Sequence, residues 1–336
     1  KKLSDHVKVA FKKASKYSSH TIVCCSLLGL SLTSHAAVDC GPIDALYQTK
    51  GESSESRVYR YNPFIKQYVL VGQLEGRDQK NSTNSAYNIE TQLVYSSAGG
   101  NTIQVFDPAD NFSFVGEITL VGATQTFNNA LFAEGDFVGF VKRNTVIKFD
   151  VTAVNSYPAN VIPVEIPVTP NVQGSNDYSL IQDKIYGVRG SNLTIIDVNT
   201  GASAVRAITF DNSLDGVTPG SGFGATWQDI SGNFYTFNNN NGDIYRIQDV
   251  AQSSSTVAEK VLLANPSGSN DGFGCEIGSN PFDIDGDGEL PQTLCGTPAY
   301  TKHSFFGPCL ACNLMRLGIM SSRWISSLGI RPHRSR

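Results

Sequence analysis

The sequence predicts an all-β protein: a β-propeller of five four-stranded blades, closed by a C-terminal strand that joins the first blade. Three observations carry the prediction. A unit of about 47 residues recurs five times. Each unit holds short runs rich in Val, Ile, Tyr, Phe and Thr, separated by Gly, Asn, Asp and Ser clusters. No window keeps a long apolar stripe of helical period. Units of this length with about four strands match propeller blades.

The first repeat column lies where strands end in an acid or amide. VYRYNP (58–63), IQVFDPAD (103–110), VIKFDV (146–151), LTIIDVNTG (193–201) and IYRIQDV (244–250) align Asn62, Asp107, Asp150, Asp197 and Gln248 at spacings of 45, 43, 47 and 51. A side-chain acceptor at the first position of a type I turn explains the acids and Asn62. The second column aligns Tyr47, Tyr95, Gly139, Tyr186 and Tyr235 at spacings of 48, 44, 47 and 49. These aromatics read as packing between blades, as does Trp227, the one tryptophan of residues 37–300. SAGGNT (97–102), RGSN (189–192) and NNNNGD (238–243) supply hairpin turns. A β-sandwich with irregular strands is the rival, and two columns repeated five times weigh against it.

Both ends of the repeat are incomplete. The first unit opens at its second strand, Ala45–Lys50, while GFGC (272–275) echoes GFGA (222–225) fifty residues earlier. Residues 270–279 are therefore expected to supply the missing strand by pairing with 44–50, since the ring otherwise exposes two unpaired edges. The Pro-spaced run SYPANVIPVEIPVTP, within 155–175, leaves six blades open as an alternative.

The unit resembles an uncharacterised propeller-like repeat domain of exported and surface bacterial proteins. The residues that carry the resemblance are Leu46-Tyr47, Arg60-Tyr61-Asn62-Pro63, Phe106-Asp107-Pro108, Ile195-Ile196-Asp197 with Thr200-Gly201, and Ile244-Tyr245-Arg246-Ile247. Asn270-Asp271-Gly272 looks like the family's last-strand signature. The resemblance covers roughly 45–280 and implies no activity and no catalytic residue.

Composition narrows the chemistry. The chain has 336 residues and a formal net charge of -4, but residues 37–300 hold 14 basic against 29 acidic side chains. A body of that sign repels phosphate backbones, which argues against nucleic acid and anionic membranes as partners. All five His (His6, His20, His35, His303, His333) fall outside 37–300. Triad catalysis, His-ligated metals and histidine proton shuttles are thereby removed from the body. Carboxylate chemistry such as glycoside hydrolysis remains, and Glu90 and Glu134, each five residues before the second column, read as hairpin residues.

The ends differ from the body. Residues 1–36 read as a signal peptide: a Lys-rich stretch, an apolar run at 21–32 too short to span a bilayer, and small residues before a cut near Ala36. Residues 301–336 hold six basic residues and no acid, together with both Met, and read as a basic tail, disordered or out of frame. Between the propeller, 37–282, and this tail lies an acidic linker, 283–300.

That linker carries the sharpest chemical motif, Asp283-Ile284-Asp285-Gly286-Asp287-Gly288-Glu289. Acids at alternate positions with a Gly at the sixth turn several oxygens toward one hard ion, so Asp283, Asp285, Asp287 and Glu289 are the candidate ligands for Ca2+. Position twelve is Leu294 where a bidentate Glu belongs, and Pro291 follows closely, which leaves a half-site. An acidic exposed linker is the bland alternative. The body cysteines are Cys40, Cys275 and Cys295. A Cys40–Cys275 bond would clamp the ring seam, Cys275–Cys295 is the local alternative, and either leaves one thiol over.

Two function classes follow. One is a monomeric, secreted or cell-surface binding module for a protein or glycan, with no catalytic residue and no membrane span. The other is a carbohydrate-active enzyme with two carboxyls at the channel face.

Overall fold

The computed structural model describes residues 40, 45–52, 55–74, 84–123, 131–142, 144–212, 216–252 and 256–282. The segment 1–36 expected to be a signal peptide, the motif with Asp283, Asp285, Asp287 and Glu289 expected to bind calcium, Cys295, and the basic segment 301–336 lie outside the described residues.

The described chain is a five-bladed β-propeller. Blade 1 takes β1 (Tyr47–Glu52), β2 (Glu55–Asn62) and β3 (Gln67–Leu74). Blade 2 takes β4 (Ser85–Asn88), β5 (Leu93–Ser97), β6 (Thr102–Asp107) and β7 (Ser113–Leu120). Blade 3 takes β8 (Leu131–Glu134), β9 (Phe137–Lys142) and β10 (Thr145–Asp150), after which come β11 (Ala159–Val161) and β12 (Val164–Pro167). Blade 4 takes β13 (Ser179–Ile181), β14 (Lys184–Arg189), β15 (Asn192–Asp197) and β16 (Ser203–Ala207), followed by β17 (Thr209–Asp211). Blade 5 takes β18 (Phe223–Gln228), β19 (Phe234–Asn238), β20 (Asp243–Ile247) and β21 (Val257–Leu263), and β22 (Asn270–Phe273) follows.

β22 is the strand that blade 1 lacks. It pairs antiparallel with β1, with Tyr47 opposite Phe273 and Lys50 opposite Asn270. The innermost strands β22, β4, β8, β13 and β18 thus come one from each sheet and stand next to one another around the axis. The sequence left six blades open through the Pro-spaced run, and the structure closes that alternative. β12 is the outer strand of blade 3, antiparallel to β10, while β11 lies parallel to β7 as a fifth strand on blade 2. Blade 5 gains a fifth strand in the same way, from β17 alongside β21.

The repeat columns have local causes. Asn62, Asp107, Asp150 and Asp197 each accept from the main chain two residues on: Phe64 N at 3.0 Å, Ala109 N at 2.8 Å, Thr152 N at 2.9 Å and Asn199 N at 3.0 Å. The acceptor pulls the chain into the turn that starts the next strand. The tyrosines of the second column are all buried. Gly139 breaks that column because Phe132, its cross-strand partner, lays its ring over the place a Cβ would take.

Burial follows the blade order. Five apolar clusters form, one between each pair of neighbouring blades, including blade 5 against blade 1. The middle strands β9, β10, β14 and β15 are buried along their whole centre, because each faces a blade on both sides. That is why they read as continuous apolar runs rather than as alternation. The seam cluster includes Trp227, whose indole Nε1 donates to the carbonyl of Tyr47 at 2.6 Å, tying β18 to β1. A Cβ on Gly272 would overlap the main chain of Thr226, so the closing strand needs glycine there to lie against β18.

Candidate functional site at the ring axis

The five inner strands leave a small channel on the axis. Residues from all five blades line it, among them Ser85, Phe132, Ser179, Thr226, Gln228, Gly274 and Glu276. The inner strands run in one direction, so the channel has two different mouths. We call the one at their N-terminal ends upper and the other lower.

At the upper mouth two carboxyls meet. Asp177 stands two residues before β13 and Asp271 is the second residue of β22, and they are 0% and 1% exposed. Asp177 accepts three main-chain N–H groups: Tyr178 N on Oδ1 at 2.7 Å, and Thr226 N at 2.5 Å and Gly272 N at 3.1 Å on Oδ2. Asp271 Oδ2 accepts from Ser85 N at 2.5 Å. The two carboxyls are also within hydrogen-bond reach of each other. Burial pushes both upward; the amides around Asp177 oppose this, whereas the charge of Asp177 drives Asp271 further up. This pair bonds blades 4, 5, 1 and 2 to one another and offers nothing to a solute.

The lower mouth is different. Glu276 lines the channel three residues past β22. Its carboxyl is pushed up, first by burial and then by the charges of Glu90 and Glu134. Glu90 follows β4 in an exposed turn, and Glu134 ends β8. Lys148 Nζ donates to Glu134 Oε2 at 2.8 Å and to Asn199 Oδ1 at 2.7 Å, over the ring of Phe137. The lower mouth is therefore an acidic rim with one ammonium braced into it. Glu90 and Glu134 do sit in hairpins, as their spacing predicts, but the hairpins carry them to the mouth.

Cys40 and Cys275 are joined by a disulfide, with Cα atoms 5.4 Å apart. The bond lies in the cluster between blades 1 and 2, beside the closing strand. Among the described residues, no group of three His, Cys, Asp or Glu side chains is placed to hold a metal ion. No helix among them is long and apolar enough to cross a membrane.

Sequence reasoning missed the Asp177–Asp271 pair and the part played by Glu276. A signal for the first was present. Asn84, Asn129, Asn176 and Asn270 recur at spacings of 45, 47 and 94, each at or just before the start of an inner strand, and in two cases the next residue is Asp.

Comparison with protein families places the chain. Residues 84–276 match the repeat of unknown function DUF6923, and the chain belongs to that family. Comparison with curated proteins finds no match. Among solved structures, a crystal structure of glutaminyl cyclase from Myxococcus xanthus is similar, at 11% identity and a TM-score of 0.36, covering 53% of this chain and 69% of that one.

Proposed function

We propose that this protein is a secreted or cell-surface binding module that captures a protein or glycan at the lower mouth and does no chemistry on it. The observation that supports this reading best is the separation of the two carboxyl groupings. The pair in mutual contact, Asp177 and Asp271, is sealed from solvent and engaged by main-chain amides. The rim that solvent reaches, Glu90 and Glu134 with Glu276 behind them, carries acceptors suited to sugar hydroxyls or to a basic protein segment. The test is a glycan array and a panel of secreted and surface proteins, probed with residues 37–300 and with a Glu90→Gln, Glu276→Gln variant. A hydrogen bond to a charged group contributes about 1.5–3 kcal/mol, so the variant is expected to bind its ligand at least roughly tenfold more weakly. Equal binding by both proteins overturns the lower mouth as the site.

One observation favours an enzymatic reading. A half-buried carboxyl whose pKa is raised by burial and by neighbouring carboxylates is what a glycosidase's general acid requires, and Glu276 has that surrounding. The same two proteins separate the readings on chromogenic glycosides. Hydrolysis by the wild type, abolished in the Glu90→Gln, Glu276→Gln variant, supports the enzyme; no hydrolysis by either retires it.

The sequence motif at 283–289 supports a further proposal, calcium binding by Asp283, Asp285, Asp287 and Glu289. A thermal-shift titration compares the wild type with an Asp285→Ala, Asp287→Ala variant. At millimolar Ca2+, the range of extracellular modules, only the wild type is expected to gain stability. Identical curves retire the site.

A further inference from the structure

We propose that Asp271 is a carboxylic acid in the folded protein, donating a proton from Oδ1 to Asp177, so that an acid–carboxylate hydrogen bond helps to close the ring. The assignment of the proton rests on the donors each carboxyl receives. Asp177 is surrounded by three main-chain N–H groups, which favour a carboxylate. Asp271 receives one N–H, on Oδ2, and its Oδ1 is buried with no protein donor directed at it. An ionised Asp271 would bury an unsatisfied oxygen against a second negative charge. A protonated Asp271 removes the repulsion and gives Oδ1 a partner.

Among the described residues, no basic side chain acts on either carboxyl in place of that proton. On the elements packed against the pair, the titratable or charged groups are Tyr178, Lys184, Tyr186 and Arg189 of β14, Tyr47, Lys50 and Glu52 of β1, and Tyr87 of β4; β18 carries none. Of these, Tyr178 interacts electrostatically with Asp177, and Arg189 acts on Tyr178. Asn270, next to Asp271, is itself occupied, with Gln48 and Asn239.

The sign of the linkage follows. Unfolded Asp loses its proton near pH 4, whereas the folded pair retains one to higher pH. The folded state then binds more protons, so stability is greatest in mild acid and falls as pH rises. While the proton is held only in the folded state, the unfolding constant should rise by up to about tenfold per pH unit.

The experiment uses the full chain in a Glu276→Gln background, which removes the other carboxyl that burial raises. Infrared spectra at neutral pH read the carboxylic-acid C=O stretch, and chemical denaturation from pH 5 to 8 reads the slope. The parent is expected to show the acid band and the falling stability. Asp271→Asn donates an amide N–H in place of the acid and should lose the band, flatten the slope and keep the ring folded at pH 8. Asp177→Asn removes acceptor oxygen from three amides and should weaken the ring at every pH. Absence of the acid band at neutral pH, or a slope shared by the parent and Asp271→Asn, overturns the proposal. If Asp271→Asn does not fold, the parent's infrared band decides alone.

Discussion

Cys40→Ala should lower the stability of the oxidised protein by about 5 kcal/mol, the chain-entropy value for a cross-link between residues this far apart. The bond spans 235 residues, so it removes far more freedom from the unfolded chain than a local loop would. It also stands at the one place where the ring is not continuous chain. β22 holds β1 by four residue pairs, and the disulfide fixes the end of that pairing from the other side. Cys40 is the better position to change, because Cys275 is fully buried and any polar replacement there adds a second penalty. Denaturant midpoints of the variant, the oxidised wild type and the reduced wild type check the expectation. The variant and the reduced wild type should unfold together, well below the oxidised protein. A variant within about 1 kcal/mol of the oxidised wild type would show that the seam holds without its clamp.

Lys260→Met should cost about 3–5 kcal/mol, for an electrostatic reason. Lys260 Nζ lies 2.8 Å from Asp243 Oδ2, with side-chain exposures of 0% and 5%. The ammonium also sits over the ring of Tyr245, its cross-strand partner, with Nζ 5.6 Å from the centroid. Methionine keeps the length of the stem and removes the charge. Asp243 is then left buried with Asn241 Nδ2 and the Tyr245 hydroxyl as side-chain donors. A variant that also carries Asp243→Asn removes the stranded charge and should recover most of the loss, since a buried pair exceeds a neutral replacement by little. Thermal or denaturant unfolding of the single and double variants makes the comparison. A double variant as unstable as the single one would mean that packing, not charge, sets the effect.

The parts of this fold that were legible in the sequence are those made by neighbours along the chain. Asn62, Asp107, Asp150 and Asp197 act within three residues of themselves, so their repetition announces the turns and hence the blade length. The closing strand was legible because an incomplete first unit and a leftover GFG had to meet. Five blades were legible from the same columns, but the placing of the Pro-spaced run was not, since β11 and β12 are separated by two residues yet belong to different blades, and no local pattern says which edge a short strand joins. The axis was less legible still. Asp177 and Asp271 are 94 residues apart and come together only when the ring closes. Glu90 and Glu134 share an offset from the second column, but Glu276 follows the closing strand, where that column has no member, so no column joins all three. Tertiary closeness of like charges is invisible to periodicity, because its cause is the curvature of the whole ring.

The position of the disulfide has a mechanical consequence. Residues 40 and 275 are where the ring begins and ends, and their Cα atoms are 5.4 Å apart. Tension applied to the chain before residue 40 and after residue 275 passes directly across the sulfur–sulfur bond. The blades hang beside that load path and bear none of it. With the bond reduced, the same pull would act on the four-pair contact between β1 and β22 and could unravel the ring blade by blade. The 235 residues between would then release roughly 800 Å of extended chain, at about 3.4 Å per residue. The oxidised protein is thus a short, stiff link, and the reduced one a long extensible tether.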